Sequence, residues 1–107
     1  MRLRWLSAVL ERIHELASQG RVHFTLKALR ELAALDIGLD EEDACHVLAN
    51  LAVGDFVERE VSNKTGEWMY VFKPRVAGVV VYVKVIVRSN CVVISFHEEE
   101  DQIDEDN

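Results

Sequence analysis

Apolar positions in the first half of the chain recur at steps of three and four residues. Trp5, Leu6, Val9, Leu10, Ile13, Leu16 and Ala17 share one stripe of a helix running from about residue 4 to 18, and Gly20 is a suitable stop. The extended piece Arg21-Val22-His23-Phe24 leads to Thr25, an N-cap for a second helix carrying Leu26, Leu29, Leu32 and Ala33, which fades between Asp36 and Gly38. Asp40 caps a third helix. Glu41, Glu42 and Asp43 complement the positive end of its dipole, Ala44, Val47, Leu48 and Leu51 form its apolar face, and Gly54 closes it.

After Gly54 the period drops from 3.6 to 2, the mark of strands. Residues 55–61 and 67–73 read as two strands around the turn cluster Asn63-Lys64-Thr65-Gly66, with Trp68, Tyr70 and Phe72 on one side and Pro74 as terminator. Residues 79–88 and 91–97 read as a final pair joined by Ser89-Asn90. Short turns between consecutive strands imply an antiparallel meander, and the helices must cover a face of it. The predicted fold is α+β: three N-terminal helices packed on one face of a mainly antiparallel, roughly four-stranded sheet.

A two-residue turn at Ser89-Asn90 fixes the register of the last hairpin. Arg88 then faces Cys91, and Val87–Val92, Val85–Ile94 and Val83–Phe96 form an all-apolar face for the helices. The opposite face pairs Ile86 with Val93, Lys84 with Ser95, and Tyr82 with His97. A slip of one residue would mix the faces. An imidazole beside a phenol and a fixed positive charge suits proton transfer near an anion. Taken singly, each of these residues also reads as ordinary strand surface.

Half of the 107 residues are hydrophobic, 29% are charged and one is proline, as in an ordinary globular protein. One domain is expected over residues 1–97, burying roughly 65% of the surface of the unfolded chain. Residues 98–107 hold seven of the nineteen acids and no base, and read as an acidic, disordered tail. They account for the net charge of −7, and residues 55–97 carry six bases against four acids. The whole-chain charge therefore does not exclude an anionic partner. The tail reads either as a solvated appendage or as a segment that folds back over the basic face. No apolar run approaches the ~18–20 residues that span a bilayer, and Met1 to Trp5 runs into polar residues before any signal-peptide core. Two cysteines are no disulfide framework, so a reducing cytoplasm is the expected location and no membrane is involved.

Four histidines and two cysteines lie apart without metal-ligand spacing, so no metal site and no cofactor are expected. Cys45 and Cys91 read as packed thiols. His23 and Lys27 flank a helix N-terminus, a place that favours anions. Lys73 and Arg75 flank Pro74 as phosphate contacts or as a solvated pair. Trp68 and Tyr70 read either as base-stacking or as core aromatics. Glu58 and Arg59 alternate faces, so only one of them can look into a site on the sheet.

The chain resembles the MqsR-type toxin family of bacterial type II toxin–antitoxin modules between about Gly20 and His97. The residues carrying the likeness are Leu39-Asp40, Cys45, Val47, Asp55-Phe56, Trp68, Val71-Phe72-Lys73-Pro74-Arg75, Gly78, Val81-Tyr82-Val83-Lys84 and Val93-Ile94-Ser95-Phe96. The resemblance implies a RelE-like fold and a metal-independent, ribosome-independent endoribonuclease acting on messenger RNA. It also implies a cognate antitoxin with a zinc-binding N-terminal part. The chain departs from the family pattern at Glu58 and His97, where lysines are expected, and at Met69, where glutamine is expected. The chemistry this suggests is attack of the ribose 2′-OH on the adjacent phosphorus. His97 would be acid or base, Tyr82 its partner, Lys84 the stabiliser of phosphorane charge, and Glu58 an alternative base. Lys73, Arg75, Arg59, Arg88, His23 and Lys27 are the RNA-binding candidates. Other readings are a toxin-fold protein that keeps its antitoxin-binding surface without catalysis, and an unrelated interaction module.

Overall fold

The computed structural model describes residues 3–100. Helix α1 spans Arg4–Ser18 and buries Leu6, Leu10, Ile13, Leu16 and Ala17, the stripe its spacing predicts. It ends in a double-bonded left-handed cap: Gly20 takes φ +73° and donates to the carbonyl of Ala17, while Arg21 donates back to Leu16 at 2.8 Å. Strand β1 (Val22–Phe24) follows directly. Thr25 caps α2 (Leu26–Ala34), its hydroxyl accepting from the Ala28 amide at 3.1 Å. Here the buried positions are Ala28 and Leu32, while Leu26, expected on the apolar stripe, is 63% exposed. Helix α3 (Glu41–Ala49) opens on a reciprocal capping box between Asp40 and Asp43. It stops before Gly54, and a single 3₁₀ turn, Val53–Asp55, leads into the sheet.

The remaining strands are β2 (Phe56–Val61), β3 (Trp68–Phe72), β4 (Arg75–Val76), β5 (Val79–Val87) and β6 (Cys91–Glu98). Their spatial order is β1-β6-β5-β3-β2, with the short β4 paired to the start of β5. The sheet is therefore mixed and six-stranded, not four-stranded: β1 runs parallel to β6, with Val22, His23 and Phe24 opposite Cys91, Val92 and Val93. Strands of three and two residues are too short to show a period of two. Only their distant partners make them strands.

One hydrophobic core joins α1, α2 and α3 to Tyr70, Phe72, Val81, Val83, Val85, Cys91, Val93 and Phe96 of the sheet. Past residue 93, β6 loses its partner β1, and α2 takes over the open edge. The amide of Thr25 donates to the Val93 carbonyl at 3.1 Å, and the Phe96 amide donates to Oε1 of Glu31 at 2.9 Å. Backbone groups of an edge that would otherwise go unpaired are thus met by the Thr25 amide and the Glu31 side chain.

The last hairpin differs from the expected register near its tip. Val87, not Arg88, faces Cys91, because the turn holds three residues, Arg88-Ser89-Asn90, closed by the Arg88 amide on the Asn90 carbonyl. A bulge opposite Lys84 and Val85 then absorbs one extra residue at Ile94. The two shifts cancel, so the Val83–Phe96, Lys84–Ser95 and Tyr82–His97 pairs form as predicted. Between turn and bulge, Val85 faces Val93 and Ile86 faces Val92. Val93 accordingly lies in the core, fully buried, and Val92 and Ile94 lie on the opposite, outer face. Among the described residues, no helix is long and apolar enough to cross a membrane. Residues 101–107 of the acidic segment, where a fold-back would have to occur, lie outside the described residues.

Candidate active site

Alternation along β5 sends Val81, Val83 and Val85 into the core and Tyr82, Lys84 and Ile86 to the outer face. The bulge in β6 keeps Ser95 and His97 on that same face, opposite Lys84 and Tyr82. The His97 ring lies on Tyr82 with centroids 4.9 Å apart and planes 10° from parallel. Its Nδ1 is 2.8 Å from the Glu98 carbonyl oxygen. A carbonyl can only accept, so in that contact Nδ1 carries the proton, and neutral His97 presents a bare Nε2 lone pair.

Cations surround this stack. Lys84 Nζ is 5.9 Å and Lys73 Nζ 6.0 Å from the centre of the Tyr82 ring. Lys27, from the first turn of α2, reaches across the edge of β6 and donates to the Ser95 hydroxyl at 2.9 Å. Each ammonium has an acid beside it: Lys84 Nζ is 3.5 Å from Glu60, Lys27 Nζ is 2.8 Å from Glu31, and Lys73 pairs with Glu99. The cluster thus presents three lysines, an imidazole, a phenol and a hydroxyl on one side of the sheet. Bound phosphate would compete with carboxylates for the lysines.

Of the pair Glu58 and Arg59, Glu58 shares this face: it lies opposite Val71 on β3, and Val71 lies opposite Lys84. Arg59 points to the helix side, its guanidinium 4.0 Å from the Trp5 ring centre and 3.9 Å from that of Trp68. It is consumed by aromatic stacking and is not a cation of the outer face. Arg88 is at the hairpin tip, held by Glu67 through bonds of 2.8 and 2.6 Å from Nε and Nη2. The Glu67 carboxyl is pulled down to about 2, first by the Arg88 hydrogen bonds and then by the Thr65 hydroxyl. Arg75 donates to the Gly78 carbonyl at 3.4 Å and lines a separate hollow with His46, Asn50 and Asp55. His23 is exposed on β1 and lines a groove further along the outer face, described below.

Tyr82, Lys84, Ser95 and His97 were grouped by hairpin register alone; the structure adds Lys73 and Lys27, expected only as separate anion contacts, together with Glu60, Glu99 and the Lys27–Ser95 contact. Glu60 was legible in principle, two residues from Glu58 on the same side of one strand. Lys27–Ser95 was not, because 68 residues separate its partners. Cys91 is fully buried and its thiol is pushed up to about 12, chiefly by that burial, so it offers no thiolate nucleophile. Among the described residues no three His, Cys, Asp or Glu side chains converge as a metal site would require.

Lysines gathered beside an imidazole and a phenol are groups suited to contact with phosphates. The comparison with known proteins is specific. Residues 7–98 match the family described as motility quorum-sensing regulator, toxin of MqsA, and the chain belongs to that toxin family. It is similar to the mRNA interferase toxin MqsR of Escherichia coli (strain K12), with 31% identity over 91 residues, covering 84% of this chain and 91% of the relative.

Proposed function

We propose that this protein is the toxin of a toxin–antitoxin pair and an endoribonuclease that cuts messenger RNA at the outer face of its sheet. The single observation that carries the site assignment is the Tyr82–His97 stack, with a bare Nε2 and two lysines about 6 Å from the phenol ring. In this reading Nε2 of His97 takes the proton of a ribose 2′-OH. The oxygen attacks the adjacent phosphorus, and the bond to the 5′ oxygen breaks as that oxygen takes a proton from the Tyr82 hydroxyl, giving a 2′,3′-cyclic phosphate and a 5′-OH; the proton held by His97 then returns to the phenolate through solvent. Lys84 stabilises the charge that grows on the phosphorane, where a fixed donor is worth most. Tyr82 holds the imidazole plane and supplies a hydroxyl to the same phosphate. Lys73 and Lys27 hold flanking phosphates. Glu58 lies one strand beyond Val71 and is the second choice as base.

The same reading takes the architecture as the RelE-like arrangement of ribonuclease toxins, with helices backing one face and residues 1–97 forming the toxin domain. It places the protein in the cytoplasm, neutralised by an antitoxin whose N-terminal part binds zinc, with no small-molecule cofactor. A second reading is favoured by the acids at Lys84, Lys73 and Lys27: a toxin-fold protein that binds its antitoxin and cuts nothing. Incubation with a message transcript separates the two. Cleavage with 2′,3′-cyclic phosphate ends, reduced at least 100-fold in His97→Ala and Lys84→Ala, supports the nuclease. An intact transcript with undiminished antitoxin binding supports the inert scaffold.

A further inference from the structure

The lysine-bearing row of the outer face is followed, one step along the sheet, by an apolar row. Met69 on β3, Ile86 on β5 and Val92 on β6 lie side by side, because Tyr70 faces Val85 and Ile86 faces Val92. With Ile94 they floor a groove of about 540 Å³, within the range that holds a small organic group. Ile86 is 5% exposed, so the groove is a depression and not a flat patch. Its wall is the β2–β3 turn, which is kept rigid by Ser62: that hydroxyl accepts the amides of Lys64 at 3.1 Å and Thr65 at 3.2 Å. Gly66 at φ +76° completes the turn. Although the chain has a net charge of −7, no Asp or Glu among the described residues lines the groove, whereas Lys64 and His23 do, with Arg88 beside them held by Glu67.

We infer that this groove is a base-binding subsite: it takes one unstacked nucleobase of the RNA strand whose adjoining phosphate lies on Lys84. This rests on the nuclease reading of the neighbouring cluster, and it adds what sets the strand's position there. Lys84 and Ile86 are two residues apart on one side of β5, roughly 6.8 Å, so a phosphate on the first leaves its neighbouring base over the second. Single-stranded RNA is the nucleic acid whose bases are free to splay onto a protein surface, and aliphatic side chains hold an extruded base by its faces as aromatic ones do. Lys64 and His23, which line the groove, favour the polyanion. Asn63, at the tip of the wall, brings an amide that donates to and accepts from a base edge. The departure from the family pattern at Met69 falls in this floor, exchanging an amide for a thioether.

The test uses the full-length protein and two probes of equal charge, both lacking the attacking hydroxyl: a mixed-sequence 2′-fluoro RNA 12-mer and a base-free tetrahydrofuran-phosphate chain of the same length. Fluorescence anisotropy should show the base-bearing probe bound about tenfold tighter, within the range that one or two stacked bases supply. Val92→Trp, which fills the groove, should close that gap while leaving the base-free probe unchanged. Met69→Ser, milder and at a half-buried position, should narrow the gap about threefold even if the tryptophan variant misfolds. Lys84→Ala should weaken both probes equally. Equal affinity of the two probes, or a gap that survives both groove variants, overturns the subsite. Neither probe is cut, so the outcome stands apart from turnover. A groove that binds bases in a protein that leaves transcripts intact would sink the nuclease reading alone.

Discussion

At the scale of single residues, the orientation of one ring decides what the site offers. With Nδ1 tied to the Glu98 carbonyl, only Nε2 of His97 is left for the role proposed for it as base. Replacing it by lysine, the residue of the family pattern, substitutes a group that exchanges protons far above neutrality. With the proposed base replaced in this way, His97→Lys should cleave slowly at pH 7 and gain rate relative to wild type as pH rises toward 9; superimposable pH profiles would exclude His97 as the base. The carboxylate of Glu60, 3.5 Å from Lys84, makes the opposite kind of test. Glu60→Gln leaves the strand intact and frees the ammonium for phosphate. Half-exposed ion pairs are worth ~0.2–1 kcal/mol, so RNA affinity should rise by up to about fivefold at low salt, with the gain fading as salt increases.

Elements were legible in the sequence where their signals are local. The boundaries of α1 and the caps of α2 and α3 follow from Gly20, Thr25 and Asp40, each acting within a turn of its own position. The tip of the last hairpin was not legible, because the bulge at Ile94 is held from outside the strand: Glu31 takes the Phe96 amide and Lys27 takes Ser95. Alternation reports which residues are apolar, and Val92, Val93 and Ile94 all are, so nothing local marked the middle one as core. The site survived because turn and bulge displace the register in opposite senses. A further element-level strain is visible between β4 and β5, where Ala77 at φ 51° and Gly78 at φ 82° form a two-residue hairpin turn. Left-handed backbone suits glycine or asparagine and costs alanine. Ala77→Gly should raise stability by about 0.5–1 kcal/mol in denaturant melts without altering RNA cleavage.

For the molecule as a whole, the two ends of the outer face are fastened differently. At the hairpin tip, Arg88 clasps Glu67, whose carboxyl drops from its ordinary value near 4.5 to about 2. The folded form thus binds that proton less readily than the unfolded chain does. The contribution is complete above pH 4.5 and disappears as pH falls from 4.5 through 2. Glu67→Gln should therefore melt lower than wild type at pH 7, and the two should converge by pH 2 in calorimetry. The alkaline limb has the reverse sign. Buried Cys91 keeps its proton to about 12 while an unfolded thiol loses it near 9, so stability declines as pH climbs between those values.

Strand β6 sits between β1 and β5, and it supplies His97 to the stack and Val93 and Phe96 to the core. Among the described residues it is the last element to be synthesised. Until it leaves the ribosome, Val22–Phe24 has nothing to pair with, Tyr82 has no imidazole above it, and the edge that α2 covers does not exist. A chain that lacks this strand therefore lacks the Tyr82–His97 stack and the pairings of both its neighbours together.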